Sequence, residues 1–561
     1  MTHELAGREE LARWVEGRST NYYDDSPNLR DVLDSHATRA RRDEMEPRLR
    51  SFGGVVASII EPAVAAMETR RDLPRHVPYD AVGRRVERIE FDPSHATASE
   101  ALWDSGLLAC DETTGGAFEQ AALFYLLSHV GEGGLACPAV CTAGLARALA
   151  HRGPAALRET YLGGLRSARF EGSLRGSQFL TEVQGGSDVG ANVVAARPDE
   201  ELAGAWRISG EKWFCSVADA DLFAVTARPE GASGGTRGLG CFVVPRSLDG
   251  TLPNGFRIRR LKDKLGTRCL ASAEIDFEGA LAWPIGQVDE GFHVAVEELL
   301  NTSRWLNAVG STGLMHRAYL EAVGFARHRS AFGRTIGSIP IVREQLAWMK
   351  VEEYAALSST MALTAMVERI DRDEASDADV ALHRFLVNVN KYATSIRATE
   401  VVHQAIEVLG GNGTIESFSV LPRLYRDAVV YESWEGTHNV LCAQVSRDCT
   451  RLGLFEVVVA WVEAELASVV FGDPTPVAEA LRAVTPAFYD ALGAGERGAG
   501  HFRRVLDRVS RIVQATTLLG EGTNGTSEKH AAAAMFVARH LVGDERLVRG
   551  VEIDTVLGSD A

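Results

Sequence analysis

Apolar residues recur with a helical period over most of this chain, and the long interruption is a block in its middle. Residues 28–72 carry helical spacing, as do Ala121 to Leu127 and Leu145 to Leu149 within 118–165, so residues 1–171 are expected to form a helical domain. From 172 to 285 the texture changes to short β-rich runs, Leu222 to Thr226, Cys241 to Val244 and Ala273 to Phe277, parted by Gly, Pro and Asp clusters. These predict a β domain. Helical periodicity returns beyond Gly291, for instance over Leu314 to His328 and Glu344 to Arg369, and a helical bundle is expected over 286–450. Further amphipathic segments, Phe455 to Val470 and Phe502 to Leu519, place an extra helical domain over 451–561. The order helix, sheet, helix is that of an α+β fold, mainly α.

Length and charge narrow the field without deciding it. At 561 residues the chain is too long for one compact core, and three or four domains are the natural division. Lys and Arg number 59 against 76 Asp and Glu, a net charge of −17 that repels polyanions. Over 451–561 the balance is eleven basic to fifteen acidic residues. The best basic patch there, Arg503, Arg504, Arg508 and Arg511, includes Asp507 and is expected to be a solvated helix face. Nucleic acid is therefore not an expected partner. The charged start Met1 to Glu10 lacks the apolar run of a secretory signal, and no uninterrupted stretch is expected to span a bilayer. Cys110, Cys137, Cys141, Cys215, Cys241, Cys269, Cys442 and Cys449 form no CxxC pairs. A reduced cytoplasmic protein without membrane contact or a structural metal is expected.

Chemistry gathers in one ordered cluster, Gly410-Gly411-Asn412-Gly413, then Arg423 to Asp427, then Glu432-Ser433-Trp434-Glu435-Gly436-Thr437. A Glu in a tryptophan-bearing turn is usually structural. Three sub-motifs in order over about thirty residues make chance a poor explanation. Upstream stand Phe179 to Asp188 (Phe-Leu-Thr-Glu-Val-Gln-Gly-Gly-Ser-Asp), Gly210 to Ser216 (Gly-Glu-Lys-Trp-Phe-Cys-Ser), Lys264 to Ser272, Gly291-Phe292 and Arg329 to Gly333. Together these motifs resemble those of the acyl-CoA dehydrogenase family. Pro78-Tyr79-Asp80, the run Gly83 to Pro93 and the C-terminal extension are similar to its long branch, which includes the bacterial alkylation-response protein. The likeness covers residues 20 to 450 well and the rest weakly.

The resemblance implies a helical domain, a central β domain and a helical-bundle domain, with a C-terminal helical extension. It also implies an FAD-dependent oxidoreductase that desaturates an acyl thioester. Such a reaction needs a carboxylate at the α-carbon and a hydride acceptor beside the β-carbon. Glu435 is the implied base, its pKa raised toward neutrality by burial that Trp434 could provide. Thr181 and Ser216 match positions that bond the isoalloxazine, and Phe214 takes the place of a tryptophan that packs against it. Arg329, with Phe332 in the same turn, resembles the group that reaches the FAD pyrophosphate of a neighbouring subunit. Gly410, Gly411, Thr437 and Asn439 would approach the dinucleotide. Ser187 and Arg268 match positions near the pantetheine side, with Ser187 also near the cofactor, and Trp434 borders the substrate. The implied partners are an acyl thioester of CoA or of a carrier protein, further copies in a homotetramer, and an acceptor such as an electron-transfer flavoprotein.

Departures from the family pattern bear on the pocket. Glu407 stands where many members have Gln, Thr414 replaces a usual Tyr, and His438 adjoins the base where a small polar residue is common; this imidazole is expected to support rather than to catalyse. Gly238-Leu239-Gly240 lacks a third glycine, and Ser187 does not sit in a Gly-x-Ser-x-Gly elbow. Two rival functions stay open. One is a flavin-dependent oxidase or monooxygenase of a biosynthetic pathway on the same fold, and the other is a DNA-binding protein of the alkylation response. Retention of Glu435 favours desaturation over the first.

Overall fold

Two units, each assembled from separated segments of chain, make up the protein: Ile59–Cys110 with Glu132–Leu306, and Met1–Ser58 with Asp111–Gly131 and Asn307–Ala561. The structure, a computed structural model, describes residues 2–70, 73–110, 116–521, 526–543 and 550–558.

The first unit holds the sheet. Its hairpin, β1 (Arg75–Tyr79) and β2 (Arg85–Glu90), pairs antiparallel inside the region expected to be helical throughout. The physical reason is local. Asp80 accepts from the Val82 and Arg84 amides, making the turn, and residues 85–90 bury alternate positions, Glu87 and Ile89. Seven further strands follow: β3 (Gly176–Phe179), β4 (Ala195–Pro198), β5 (Trp206–Ser216), β6 (Leu222–Pro229), β7 (Gly240–Pro245), β8 (Phe256–Leu261) and β9 (Ser272–Pro284). They run in the order β3-β6-β4-β5-β9-β7, β8 pairs with β9, and β7 pairs again with β6, so the sheet closes on itself. Strand β6 is buried on both faces from Leu222 to Ala227, which is why its sequence is apolar there except at Thr226, whose hydroxyl accepts from the buried Lys212. Strand β5 instead buries Ile208 and Lys212 at one parity and, after an irregularity in its pairing with β9, Cys215 at the other. The helix Gly133–Arg152 lays Leu145 and Leu149 against Leu222, Ala224 and Val243, each buried leucine contributing about 1.5–3 kcal/mol.

The second unit is helical. Its longest elements are Pro340–Asp371, which starts on a proline, and Asp377–Leu409, which starts on a reciprocal Ser376–Asp379 capping box. The helix Leu421–Ser433 buries Leu421, Leu424, Ala428 and Tyr431, a stripe at helical spacing. Beyond residue 450 come Leu454–Ser468, Thr475–Gly493, Ala499–Gly520 and Ser527–Val537. This extension is tied to the rest of its unit by buried ion pairs. Arg511 and His540 meet Glu352 at 3.3 and 2.6 Å, and Glu521 meets His36 at 2.8 Å while Lys529, also in the extension, holds the same carboxylate at 2.5 Å. The solvated face expected of Arg503 to Arg511 therefore holds for Arg504 and Arg508 but fails for Arg511, which is 4% exposed.

Two helical stretches, Arg39–Thr69 and Gly133–Arg152, are long and apolar enough to cross a membrane by length and mean hydropathy, 1.3 for each, which corrects the expectation that none would be. In Gly133–Arg152 the apolar window is 94% buried, the surroundings of a core helix.

Candidate functional site

In the sheet unit the residues expected at the flavin sit on the loop after β3 and on β5. The loop is fixed from below by Lys212. Its Nζ donates to Glu182 Oε1 at 2.8 Å, to the Leu180 carbonyl at 3.1 Å and to Thr226 Oγ1 at 3.2 Å. Glu182 also accepts from the Val193 and Val194 amides at 2.7 and 3.2 Å, pinning the far end of the same loop. Between these anchors Thr181 is half-buried, and its carbonyl accepts from the Trp213 amide at 2.9 Å. The Phe214 ring is 50% exposed, with the Lys262 ammonium 4.7 Å from its centroid and 3.5 Å from that of Trp213. Ser216 pairs across the sheet with Ser272, hydroxyl to hydroxyl at 3.2 Å. Ser187 is exposed and Arg268 half-buried. Arg268 follows Thr267, a β-branched residue at φ 51°, a conformation that costs free energy and marks a constrained turn.

In the helical unit Glu435 lies in the turn between the helices Leu421–Ser433 and His438–Leu452. Trp434 ends the first helix, its amide bonded to the Val430 carbonyl and its ring stacked 5.2 Å from Tyr431. Glu435 then takes φ 52° and Gly436 φ 106°. A left-handed glutamate costs about 1–2 kcal/mol, so surrounding bonds must over-determine it. They do: the buried Lys391 donates to the Glu432 carbonyl at 2.8 Å and to the Gly436 carbonyl at 2.9 Å, one on each side of Glu435. The Glu432 carboxylate in turn is bonded by Thr399 and faces His438 Nε2 at 2.8 Å. Burial alone would raise the Glu432 carboxyl, but the bonds from His438 and Thr399 hold it below its ordinary value. His438 thus meets a carboxylate three residues before Glu435.

The helix Asp377–Leu409 stops at Gly410, which adopts φ 61°, and a Cβ built on Gly410 or Gly411 would meet nothing within 4 Å. Thr437 caps the helix His438–Leu452 without using its hydroxyl, and that helix has no acidic residue in its first turn, an arrangement suited to an anion. Asn439 is exposed and accepts from Arg503 at 2.8 Å. Arg329 is 3.3 Å from Glu10, and Phe332, at φ 54° in the next turn, is 96% exposed. Of the departures, Glu407 accepts from Gln345 at 3.0 Å and Thr414 bonds back to the Gly411 carbonyl.

Lys391, Thr399, Lys212 and Arg503 are supporting residues that sequence reasoning missed. Only Lys212 left a signal, since it shares the inward parity of Ile208 on β5. Glu68, Glu132 and Cys269 also bring donor atoms within 4.8 Å of one another, a grouping that chain spacing does not show.

Residues 177–280 match the family described as acyl-CoA dehydrogenase, middle domain, and 289–450 that described as acyl-CoA dehydrogenase, C-terminal domain. Residues 16–172 match the adaptive response protein AidB N-terminal domain. The chain is similar to AidB of Escherichia coli (strain K12), 35% identical over 389 residues that cover 67% of this chain and 69% of that one. It is 31% identical to acyl-CoA dehydrogenase family member 11 of Caenorhabditis elegans, over 76% of this chain and 70% of that one. Among solved structures, Caenorhabditis elegans ACDH-11 in complex with C11-CoA superposes at a TM-score of 0.87 and 25% identity, over 97% of this chain and 96% of that one.

Proposed function

This chain belongs to the acyl-CoA dehydrogenase family, and from that premise we propose that it desaturates the α,β bond of an acyl thioester with Glu435 as the base. It is a flavin-dependent oxidoreductase whose cofactor is FAD. When bound, FAD supplies the hydride acceptor for the β-carbon. The observation that carries the proposal is the left-handed conformation of Glu435 with its neighbours clamped by Lys391. Strain of this kind persists where a side chain must be aimed.

Each part of the chain has a task in this scheme. Glu435 accepts the α-proton, becoming a neutral acid, while the β-hydrogen leaves with its electron pair. Lys391 and the Glu432–His438 pair keep the carboxylate at a fixed place on the backbone. Trp434, the residue before the base, is held by its stack on the buried Tyr431. Thr181, Phe214 and Ser216 present two hydroxyls and a half-exposed ring, a donor set that fits an isoalloxazine. Gly410 and Gly411 leave open the space that a side chain would fill, which fits a dinucleotide. The exposed Phe332 beside Arg329 supports a homo-oligomer in which this turn is covered by another copy. A CoA thioester is the proposed substrate, and an electron-transfer flavoprotein the proposed acceptor.

Anaerobic titration of the yellow protein with acyl-CoAs of graded length tests the proposal. Bleaching of the flavin band by one of them, lost in Glu435→Gln, is the expected result. A flavoprotein that no thioester bleaches overturns it. Oxygen uptake with the bleaching substrate would instead assign an oxidase or monooxygenase.

A further inference from the structure

The C-terminal extension lies beyond the stretches matched to the acyl-CoA dehydrogenase domains, which end at residue 450, yet one of its side chains reaches the start of the helix His438–Leu452, which follows the turn that carries the base. Arg503, on the helix Ala499–Gly520, donates from Nη1 to Asn439 Oδ1 at 2.8 Å. The same guanidinium lies 5.9 Å over the Tyr392 ring. Tyr392 meets His438 edge to face at 5.5 Å, and His438 is the imidazole that faces Glu432. The extension is thus linked by direct contacts to the residues that brace Glu435.

Arginine has five donors and no acceptor. Its bond to Asn439 therefore uses the amide oxygen and turns the NH2, with two protons to donate, the other way. Arg503 also places a fixed cation beside Thr437 to Asn439 in a chain whose net charge is −17. The dinucleotide carries a diphosphate, and an acidic protein that holds one needs local positive charge and oriented donors. Exposed neighbours on the same helix, Arg504 and Arg508, have no such partner among the described contacts.

We propose that Arg503 is a cofactor-positioning residue, so that the C-terminal extension forms part of the FAD site by holding Asn439 and adding charge beside the dinucleotide. This rests on the placement of Thr437 and Asn439 at the FAD. FAD titration of the full-length apoprotein, followed by flavin fluorescence, tests it. Arg503→Ala is expected to weaken FAD binding about tenfold, and Arg503→Lys, which keeps the charge and one donor, less. Arg504→Ala is expected to stay within twofold of the wild type. The effects of Arg503→Ala and Asn439→Ala should be strongly non-additive, since each removes the same bond. Melting of the apo forms separates loss of the cofactor from loss of the fold. Should Arg503→Ala fail to fold, Arg503→Lys with the Asn439→Ala cycle carries the same test. Wild-type affinity in Arg503→Ala, or additive effects in the cycle, would overturn the inference while leaving the flavoprotein assignment intact. Wild-type affinity in Asn439→Ala would overturn the placement of Asn439 itself.

Discussion

Lys212 and Glu182 meet at 2.8 Å with 0% and 1% of their side chains exposed. Burial pushes the Lys212 amine below its ordinary range, and the Glu182 carboxylate works against that shift. Removing one partner strands the other charge in the sheet. Lys212→Met is expected to cost about 3–5 kcal/mol in urea unfolding. The pair Lys212→Met with Glu182→Gln should recover part of the loss, because no full charge is left unpaired. A loss below about 1 kcal/mol in the single variant would show that water reaches the pair.

Glu435 separates chemistry from conformation. Glu435→Gln keeps the shape and should retain FAD while lowering the desaturation rate by at least about 10²–10⁴-fold. Glu435→Gly should be equally inactive, yet no less stable and up to about 1 kcal/mol more so, because glycine takes a positive φ without penalty. A clear fall in its melting temperature would mean that the carboxylate also holds the turn.

Open space beside Gly411 predicts a variant that blocks a ligand and spares the protein. Gly411→Val places its Cβ where no atom beyond the neighbouring backbone lies within 4 Å. Its melting temperature in the apo form should stay near that of the wild type, a change within about 0.5 kcal/mol, while FAD affinity falls by tenfold or more. Unchanged flavin binding would remove Gly411 from the cofactor contacts.

Glu353 sets a pH dependence. Burial raises its carboxyl from 4.5 to about 7, and the bonds from Tyr125 and Asn28 only partly oppose this. The folded state therefore holds this proton more tightly than the unfolded chain does. The stability it contributes is complete below pH 4.5 and is lost as pH rises through about 7. Melting temperature should decline over that window by the equivalent of about 3 kcal/mol, and Glu353→Gln should flatten the decline.

Much of this was legible in the chain because periodicity reports burial directly. The change of period near residue 172 marks where short strands begin, and the strand runs at Leu222, Cys241 and Ala273 fall on β6, β7 and β9. The hairpin over 75–90 escaped because strands of five and six residues carry too few alternations to stand out beside helical text. At the candidate site, the motif residues on turns were readable since glycines and a Trp-Glu-Gly sequence punctuate the backbone. Lys391 was not, because it lies mid-helix and acts across 41 and 45 positions, a distance that local spacing does not encode. Arg511 misled for a related reason: a charge run resembles a solvated face until the stripe Val505, Val509, Ile512 and Leu519 shows which side is buried.

The pairing of His36 with Glu521 joins groups 485 positions apart. Glu352, on the helix Pro340–Asp371, likewise receives Arg511 and His540 from the far end of the chain. During synthesis, at roughly 5–20 residues per second, Glu352 would be made long before either of these two partners. The helical unit therefore cannot reach its final packing while the last segments are still on the ribosome. An incomplete chain would hold Glu352 with Arg397 beside it at 3.8 Å but without Arg511 and His540, and Asn439 without Arg503, a state that chaperones would recognise.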